Sequence, residues 1–131
     1  MFISIVVPVF NDEEVLPELL RRVSPVAQKI AESDYEIILV DDGSRDRSWN
    51  VIQELKASYQ NVVAVKLARN FGQQNSIAAG LSVAQGDYIV LMDSDLQDRP
   101  EDIPVLLDAL KGSNASMAIA QWISRKDTEF S

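Results

Sequence analysis

Four short apolar runs, separated by segments with helical spacing, restrict this chain to one class of fold. The runs lie at residues 2–7, 36–40, 62–67 and 88–92, and they are rich in β-branched residues. Because the runs are nearly continuous rather than alternating, they are typical of parallel strands that are covered on both faces. A length of 131 residues suits one domain built around one such sheet.

The segments between the runs carry apolar residues at helical spacing, which predicts four amphipathic helices. Within the first helix, Pro25 removes an amide donor and predicts a kink or a break. A fifth strand is expected at residues 117–120. The apolar stripes comprise Leu16, Leu19, Leu20, Val23 and Ile30; Trp49, Ile52, Leu55 and Tyr59; Ile77, Leu81 and Ala84; and Ile103, Leu106, Leu107 and Leu110.

The alternation of strands and helices predicts an α/β fold. We expect a doubly wound, mostly parallel sheet with helices on both faces, joined by right-handed crossovers. Such sheets bind ligands beyond the carboxyl ends of their strands, at the point where the strand order reverses. The polar residues that follow each strand are therefore the candidate functional residues.

The composition excludes several kinds of chemistry. The chain contains no Cys and no His, which excludes structural zinc, disulfides, thiol nucleophiles and histidine bases. Its net charge of −8 argues against a nucleic-acid surface, and an anionic nucleotide would need a local cation or a helix N-terminus. No apolar segment approaches the ~20 residues of a membrane span, so we expect a cytoplasmic chain.

The fourth run ends in two carboxylates one residue apart. Asp93, Asp95 and Gln97 offer hard oxygen ligands to Mg²⁺ or Mn²⁺, and such an ion can hold a substrate diphosphate. A polar turn after a strand would explain the same residues without any ligand.

The first run is followed by residues with two interpretations. Pro8 is expected to end the strand pairing, and Phe10 could offer a face to a nucleobase. Asn11 and Asp12 could simply cap the next helix.

The second and third runs also end in polar residues. One acid of Asp41 and Asp42 could accept a hydrogen bond from a nucleobase ring N–H, or the pair could belong to an ordinary turn. Arg69 precedes a helix entry containing a glycine, and its charge suits a phosphate. An ion pair of Arg69 with Asp41 or Asp93 explains it equally well.

These clusters are joined by their position. Each follows a strand on the same side of the expected sheet, which favours one metal–nucleotide site over unrelated turns. The sequence contains neither G-x-G-x-x-G nor a P-loop motif. Acids and a divalent ion must therefore replace the glycine-rich amides that bind phosphate in those folds.

Taken as a set, the motifs closely resemble those of the inverting family 2 glycosyltransferases of GT-A fold. Within that family the chain is most similar to the polyprenyl-phosphate (dolichol- or undecaprenyl-phosphate) sugar transferases, to which RNFG and DLQD point most specifically. The resemblance extends to about Pro104. Its motifs are VVPVFN (6–11), VDDGS (40–44), RNFG (69–72), AGL (79–81), GD (86–87), MDSDLQD (92–98) and Pro100-Glu101.

The resemblance implies a role for each motif residue. It implies that Asp93 and Ser94 contact the ribose or the metal, and that Asp95 with Gln97 ligates Mg²⁺ or Mn²⁺, Asp93 being a further candidate ligand. Position 12 carries Asp where such enzymes often have Glu, which gives the same charge a shorter reach. The base and ribose pocket is implied to comprise Pro8, Phe10, Asp12, Val40 and Asp42.

Two arginines are candidate phosphate contacts. Arg69 is one of them. Family members also tend to carry an arginine just after the fifth strand, where this chain has Gln121-Trp122 and then Arg125. No residue is assigned as a catalytic base, because a lipid-phosphate acceptor is already anionic and needs positioning rather than deprotonation.

The resemblance implies metal-dependent transfer of a sugar, with inversion, from a UDP- or GDP-linked donor to a polyprenyl phosphate. No nucleic-acid partner is expected, and a homo-oligomer is allowed. Residues 1–131 are expected to be the N-terminal, donor-binding part of a single GT-A domain, without acceptor-side or membrane regions and with little or no activity alone. The full-length protein is expected at the cytoplasmic face of a membrane.

Three other functions are considered. The chain could bind a nucleotide sugar without turnover, or it could belong to a polysaccharide-type glycosyltransferase. A nucleotidyltransferase also uses acids and a divalent ion, but that class usually opens with a Gly- and Arg-rich phosphate loop. Residues 8–14 contain neither Gly nor Arg.

Overall fold

Strands and helices alternate along the chain, as the sequence predicts. The computed structural model describes residues 1–97 and 99–112, and the backbone of 118–121. A 3₁₀ turn, Pro100–Asp102, precedes the last helix. Within these residues the elements are β1 (Ile3–Val9), α1 (Leu16–Ala31), β2 (Tyr35–Asp41), α2 (Ser48–Ser58), β3 (Val62–Lys66), α3 (Gln73–Val83), β4 (Tyr88–Leu91), α4 (Ile103–Lys111) and β5 (Ala118–Gln121).

The strands form one parallel sheet in the order β3-β2-β1-β4-β5. Strand β1 pairs with β2 on one side and with β4 on the other, so the order reverses between β1 and β4. The expected doubly wound sheet is confirmed, and β5 confirms the fifth strand. The crevice between β1 and β4 is the place where such a sheet binds ligands.

Both faces of the sheet are covered. Helices α1, α2 and α4 pack on one face, against a fully buried set that includes Ile5 and Leu39. Helix α3 packs on the other face, against Val6, Ile38 and Val40. Successive residues of a strand point to opposite faces, so β1 contributes to both layers.

Helix α3 lies unusually close to the sheet. Its most buried residues are Ser76 and Gly80, while the predicted stripe of Ile77, Leu81 and Ala84 is only partly buried. A Cβ atom at Gly80 would stand 2.5 Å from the Val6 side chain. The absence of a side chain at position 80 therefore sets the distance between helix and sheet.

Pro8 does not end the pairing of β1 with β2, so that expectation is wrong. The ladder continues through Pro8 and Val9, opposite Val40 and Asp41. The carbonyl of Val6 accepts from the amide of Met92 on the β4 side, and alternate residues of a strand direct their amides to the same neighbour. Since β4 ends opposite Val6, no strand partner faces the missing N–H of Pro8.

The break expected at Pro25 also does not occur. Helix α1 continues from Leu16 to Ala31, and Pro25 lies exposed within it. Proline removes one backbone hydrogen bond, but the buried stripe anchors the helix on both sides, at Val23 and Ala27. Tertiary packing supplies most of the stability of such a helix.

Candidate functional site

A cavity of about 430 Å³ opens at the carboxyl ends of β1, β2 and β4. It lies at the crevice where the strand order reverses, which is where the fold class predicts a ligand site. Most of the residues selected from the sequence meet here, although they come from separate loops. The lining comprises Pro8, Val9, Phe10, Asp12, Asp42, Asn70, Gly72, Gln73, Ser76, Asp93, Ser94 and Asp95.

The charged residues that the structure describes around the cavity are all acidic. Asp12, Asp42, Asp93 and Asp95 line it, and the described part of the lining contains no Lys or Arg. An anionic ligand would be repelled from such a surface, whereas a divalent cation would be attracted to it. Helix α3 begins at the cavity, and the partial positive charge of its N-terminus opposes the acids only in part.

Asp12 is held by the loop that carries it and by the loop after β4. One of its carboxylate oxygens, Oδ2, accepts from the Phe10 amide at 3.0 Å and from the Ser94 hydroxyl at 2.5 Å. Its own amide donates to the Ser48 hydroxyl at 2.8 Å. Ser94 is only 6 % exposed, and the Asp12–Ser94 bond is partly buried.

The loops after β1 and β2 are tied together reciprocally. The Asn11 amide donates to the Ser44 hydroxyl at 2.9 Å, and the Asn11 side-chain oxygen accepts from the Arg45 amide at 2.8 Å. Asn11 has φ +53°, a left-handed conformation that Asn tolerates better than most residues. The cap role considered for Asn11 is replaced by this bridge between loops.

Asp46 completes the bridge. Burial alone would raise the pKa of the Asp46 carboxyl, but hydrogen bonds outweigh it and hold the pKa below its ordinary value. The donors are the side chain and backbone of Ser48 and the amide of Glu13.

Asp42 anchors the loop that follows β3. It is 4 % exposed, and its two oxygens accept from the amides of Phe71 and Gly72 at 2.7 and 3.0 Å. Each carboxylate oxygen has two lone pairs, so Asp42 can still accept a further hydrogen bond from a ligand.

The acids after β4 are more exposed. Asp93 accepts from the side-chain amide of Gln73 at 3.1 Å. Asp95 is exposed and accepts from the Gln97 amide at 3.2 Å. The intervening Leu96 has φ +62°, a backbone conformation that is uncommon for a residue with a side chain and frequent at functional sites.

The donor set fits a divalent ion that is shared with a substrate. Within the described part of the chain, no group of three or more acidic, His or Cys residues is placed to hold a metal by itself. Two aspartates, Asp93 and Asp95, line the same cavity. Mg²⁺ is commonly held by one or two carboxylates together with phosphate oxygens and water.

Four of the selected residues are not part of the cavity lining. Val40 is fully buried in the core beneath α3, and Gln97 is exposed outside the lining set. Arg69 stacks on the Phe71 ring, with its guanidinium carbon 4.6 Å from the ring centre, and it appears in none of the described ion pairs. Arg125 lies outside the described residues.

Five lining residues were missed, namely Val9, Asn70, Gly72, Gln73 and Ser76. Val9 is the last residue of β1. The other four follow β3, in the RNFG motif or in the first turns of α3, and their signal in the sequence was their position after a strand. Arg69 was selected from this segment for its charge. The structure instead directs the neutral residues of the segment to the cavity.

Fold and cavity together define an α/β protein with an acid-lined crevice at the point where the strand order reverses. Comparison with known families makes this specific, because the family "Glycosyl transferase family 2" matches residues 4–131. The chain belongs to glycosyl transferase family 2, as the resemblance predicted.

Two curated relatives of this chain are both named undecaprenyl-phosphate 4-deoxy-4-formamido-L-arabinose transferase. The protein of Pseudomonas fluorescens (strain SBW25) is 42 % identical over 94 % of this chain and 39 % of the relative. That of Enterobacter sp. (strain 638) is 44 % identical over 98 % of this chain and 39 % of the relative. The chain thus spans about two fifths of the length of these relatives.

Solved structures confirm the GT-A fold. S. aureus TarS in complex with UDP-GlcNAc is 27 % identical, with a TM-score of 0.67 over 85 % of this chain and 30 % of that protein. Mycobacterium tuberculosis glucosyl-3-phosphoglycerate synthase, solved with Mn²⁺ and UDP, is 24 % identical with a TM-score of 0.65, covering 86 % of this chain and 40 % of that protein. At that identity the second likeness concerns the fold alone.

Proposed function

We propose that this chain is the donor-binding part of an inverting glycosyltransferase that uses a divalent cation. The observation that carries the proposal is the cavity between β1 and β4, which four aspartates line and where no described lining residue is basic. A nucleoside diphosphate would bind in such a cavity more tightly together with a cation that offsets the repulsion.

The proposed donor is a UDP-linked sugar. Asp42 sits in the cavity with remaining acceptor capacity, which suits the ring N–H of uracil. Guanine also carries a ring N–H, so a GDP-linked sugar is the alternative that the binding experiment must exclude. The TarS complex with UDP-GlcNAc, the more similar of the two structures, favours UDP.

The proposed ligands of Mg²⁺ or Mn²⁺ are Asp93 and Asp95, with Gln97 next to them. When bound, the ion neutralises the diphosphate as it leaves the sugar. The residues of the chain orient the donor: Asp42 and Phe10 face the base, while Asp12 and Ser94, bonded to each other, border the ribose side.

The proposed acceptor is a polyprenyl phosphate, since the curated relatives are named as undecaprenyl-phosphate transferases. A phosphate is anionic at neutral pH and can attack the anomeric carbon without a histidine base, which this chain lacks. We place the whole protein at the cytoplasmic face of a membrane. Among the described residues, no helix is long and apolar enough to cross one.

Calorimetric titration tests the donor and the cation together. UDP and GDP are each titrated into the chain, once with Mn²⁺ and once with EDTA. We expect UDP to bind more tightly with Mn²⁺ than without it, and more tightly than GDP. Equal affinity in Mn²⁺ and EDTA would contradict the proposal.

Asp95→Asn tests the assignment of the cation ligand. The substitution keeps the size of the side chain and removes its charge, so Mn²⁺-dependent affinity for UDP should fall by more than the roughly 10- to 100-fold lost when an outer partner of a metal ligand is removed. The control is Asp34→Asn, an exposed aspartate at the opposite end of the sheet. It should bind like the parent.

The second candidate function, binding without turnover, is favoured by the fraction of the relatives that this chain covers, 39 %. Incubation of the chain with UDP-sugar, Mn²⁺ and a short polyprenyl phosphate separates the two functions. We expect binding with little or no product. Efficient transfer would show that these residues suffice for catalysis.

A further inference from the structure

Hydrogen bonds join the four loops of the cavity into a closed ring. The loops after β1 and β2 are joined by Asn11–Ser44 and Asp12–Ser48. Asp42 joins the loop after β2 to the amides that precede α3. The ring is completed by Gln73–Asp93, which connects α3 to the loop after β4, and by Ser94–Asp12, which returns to the first loop.

Two of these hydrogen bonds attach the loop after β4 to its neighbours, and the residues that form them differ in solvent exposure. The Ser94 hydroxyl is buried, and its bond to Asp12 is short. Gln73 is exposed and reaches Asp93 through a long side chain with several rotatable bonds. Holding such a side chain in one rotamer has an entropic cost, which the hydrogen bond to the Asp93 carboxylate must offset.

We propose that Gln73 is a positioning residue that orients the Asp93 carboxylate toward the cation of the donor site. The inference rests on the proposed function. The amide of Gln73 donates to Oδ1 of Asp93 at 3.1 Å and so selects the rotamer in which Asp93 lines the cavity. Outer partners of this kind fix metal-ligating carboxylates in many proteins.

The neutrality of Gln73 matters for this role. A Lys or Arg at position 73 could make the same hydrogen bond, but its charge would neutralise Asp93 and repel a cation. An amide donor orients the carboxylate without adding a positive charge beside the ion. Among the described lining residues, a carboxylate is thus oriented without a basic side chain.

The test compares Gln73→Ala with Gln74→Ala. Both residues are exposed glutamines in the first turn of α3, so the two variants share any effect on helix propensity. With Mn²⁺ present, we expect the Kd for UDP to rise roughly tenfold in Gln73→Ala and to stay within about twofold of the parent in Gln74→Ala. The melting temperature should match the parent in both.

The same titration in EDTA distinguishes positioning from a direct contact. Gln73→Ala should bind UDP like the parent without metal, and in an Asp93→Ala background it should cause no further loss. An equal loss with and without Mn²⁺, or a loss that persists without Asp93, would overturn the inference and place Gln73 against the nucleotide itself.

The outcomes also separate this inference from the proposed function. If the parent binds UDP more tightly with Mn²⁺ and Gln73→Ala does the same, the positioning role is wrong and the donor site stands. If the parent shows no Mn²⁺ dependence, the proposed function fails and the positioning role fails with it.

Discussion

At the scale of single residues, the close approach of two loops depends on Gly43. Its φ is +68°, and a Cβ atom there would lie 2.3 Å from the backbone of Arg69 and Asn70. Any side chain would therefore combine backbone strain with a clash that neither backbone can relieve. The contact brings the amides of Phe71 and Gly72 to Asp42, one residue before the glycine.

Gly43→Ala should destabilise the chain and weaken donor binding together. Left-handed strain and backbone displacement suggest a loss of about 2–3 kcal/mol. Urea unfolding measures the free energy, and UDP titration of the folded fraction measures the site. The control is Gly112→Ala, where the Cβ would meet, among the described residues, only the Ala109 carbonyl at 3.7 Å and φ is helical at −74°. If Gly43→Ala kept the unfolding free energy and the UDP affinity of the parent, the site would not depend on the close approach of the two loops.

At the scale of elements, an ion pair connects α1 to the turn that follows the acidic loop. Two nitrogens of Arg22 donate to the two oxygens of Glu101, at 2.7 and 3.3 Å. The side chains are 33 % and 41 % exposed, so water weakens the pair. Its geometry still fixes where the chain leaves the site, since Pro100 and Glu101 open the turn before α4.

The stability contribution of Glu101 should depend on pH. The hydrogen bonds from Arg22 hold the pKa of the Glu101 carboxyl below its ordinary value, which is about 4.3. A lowered pKa stabilises the folded state above the ordinary value, and this contribution is lost as the pH falls through the lowered one. Glu101→Gln should therefore lower the urea midpoint at pH 7 and hardly change it at about pH 2–3.

Glu54→Gln is the control for this prediction, because Glu54 is an exposed acid on α2. A difference between Glu101→Gln and the parent that stays constant from pH 7 to about pH 2–3 would exclude the ion pair as its cause. High salt should also reduce the difference at pH 7.

At the scale of the whole molecule, the polar residues at the two ends of the sheet have different roles. The carboxyl end carries the cavity. At the amino end, the Ser4 hydroxyl donates to Glu36 at 2.6 Å and accepts from the Gly86 amide at 2.8 Å. Glu36 also accepts from the Gln85 amide at 2.8 Å. This buried network attaches the loop before β4 to both β1 and β2, and so holds β4 in register from below the site.

Ser4→Ala should therefore affect stability without affecting the site. It leaves the buried Gly86 amide without its acceptor, which costs about 1–3 kcal/mol. The affinity of the folded protein for UDP with Mn²⁺ should remain that of the parent. Ser82→Ala, which removes an exposed hydroxyl bonded to Ala79, should be nearly neutral. Lost affinity in Ser4→Ala would show that the two ends of the sheet are coupled.

The sequence predicted those residues of the site that directly follow a strand. Asp12, Asp42, Asp93 and Asp95 were selected because acids follow three strands, and they line one cavity. Val40 was implied by its place in a motif. Side chains alternate between the two faces of a strand, however, and the Val40 side chain lies in the core against Gly80 of α3. Gln73 was missed because an uncharged side chain in a first helical turn carries no signal until its partner is known.

By itself, the sequence determined the type of each strand and α-helix, the parallel sheet and the end of the sheet that bears the acids, because apolar periodicity and the polarity of strand ends are local properties. Only the tertiary structure decided the order β3-β2-β1-β4-β5, the ring of hydrogen bonds and the burial of Val40. These depend on contacts between residues far apart in the chain, such as Ser94 with Asp12, 82 positions apart. The spacing of apolar residues within one segment does not indicate such contacts.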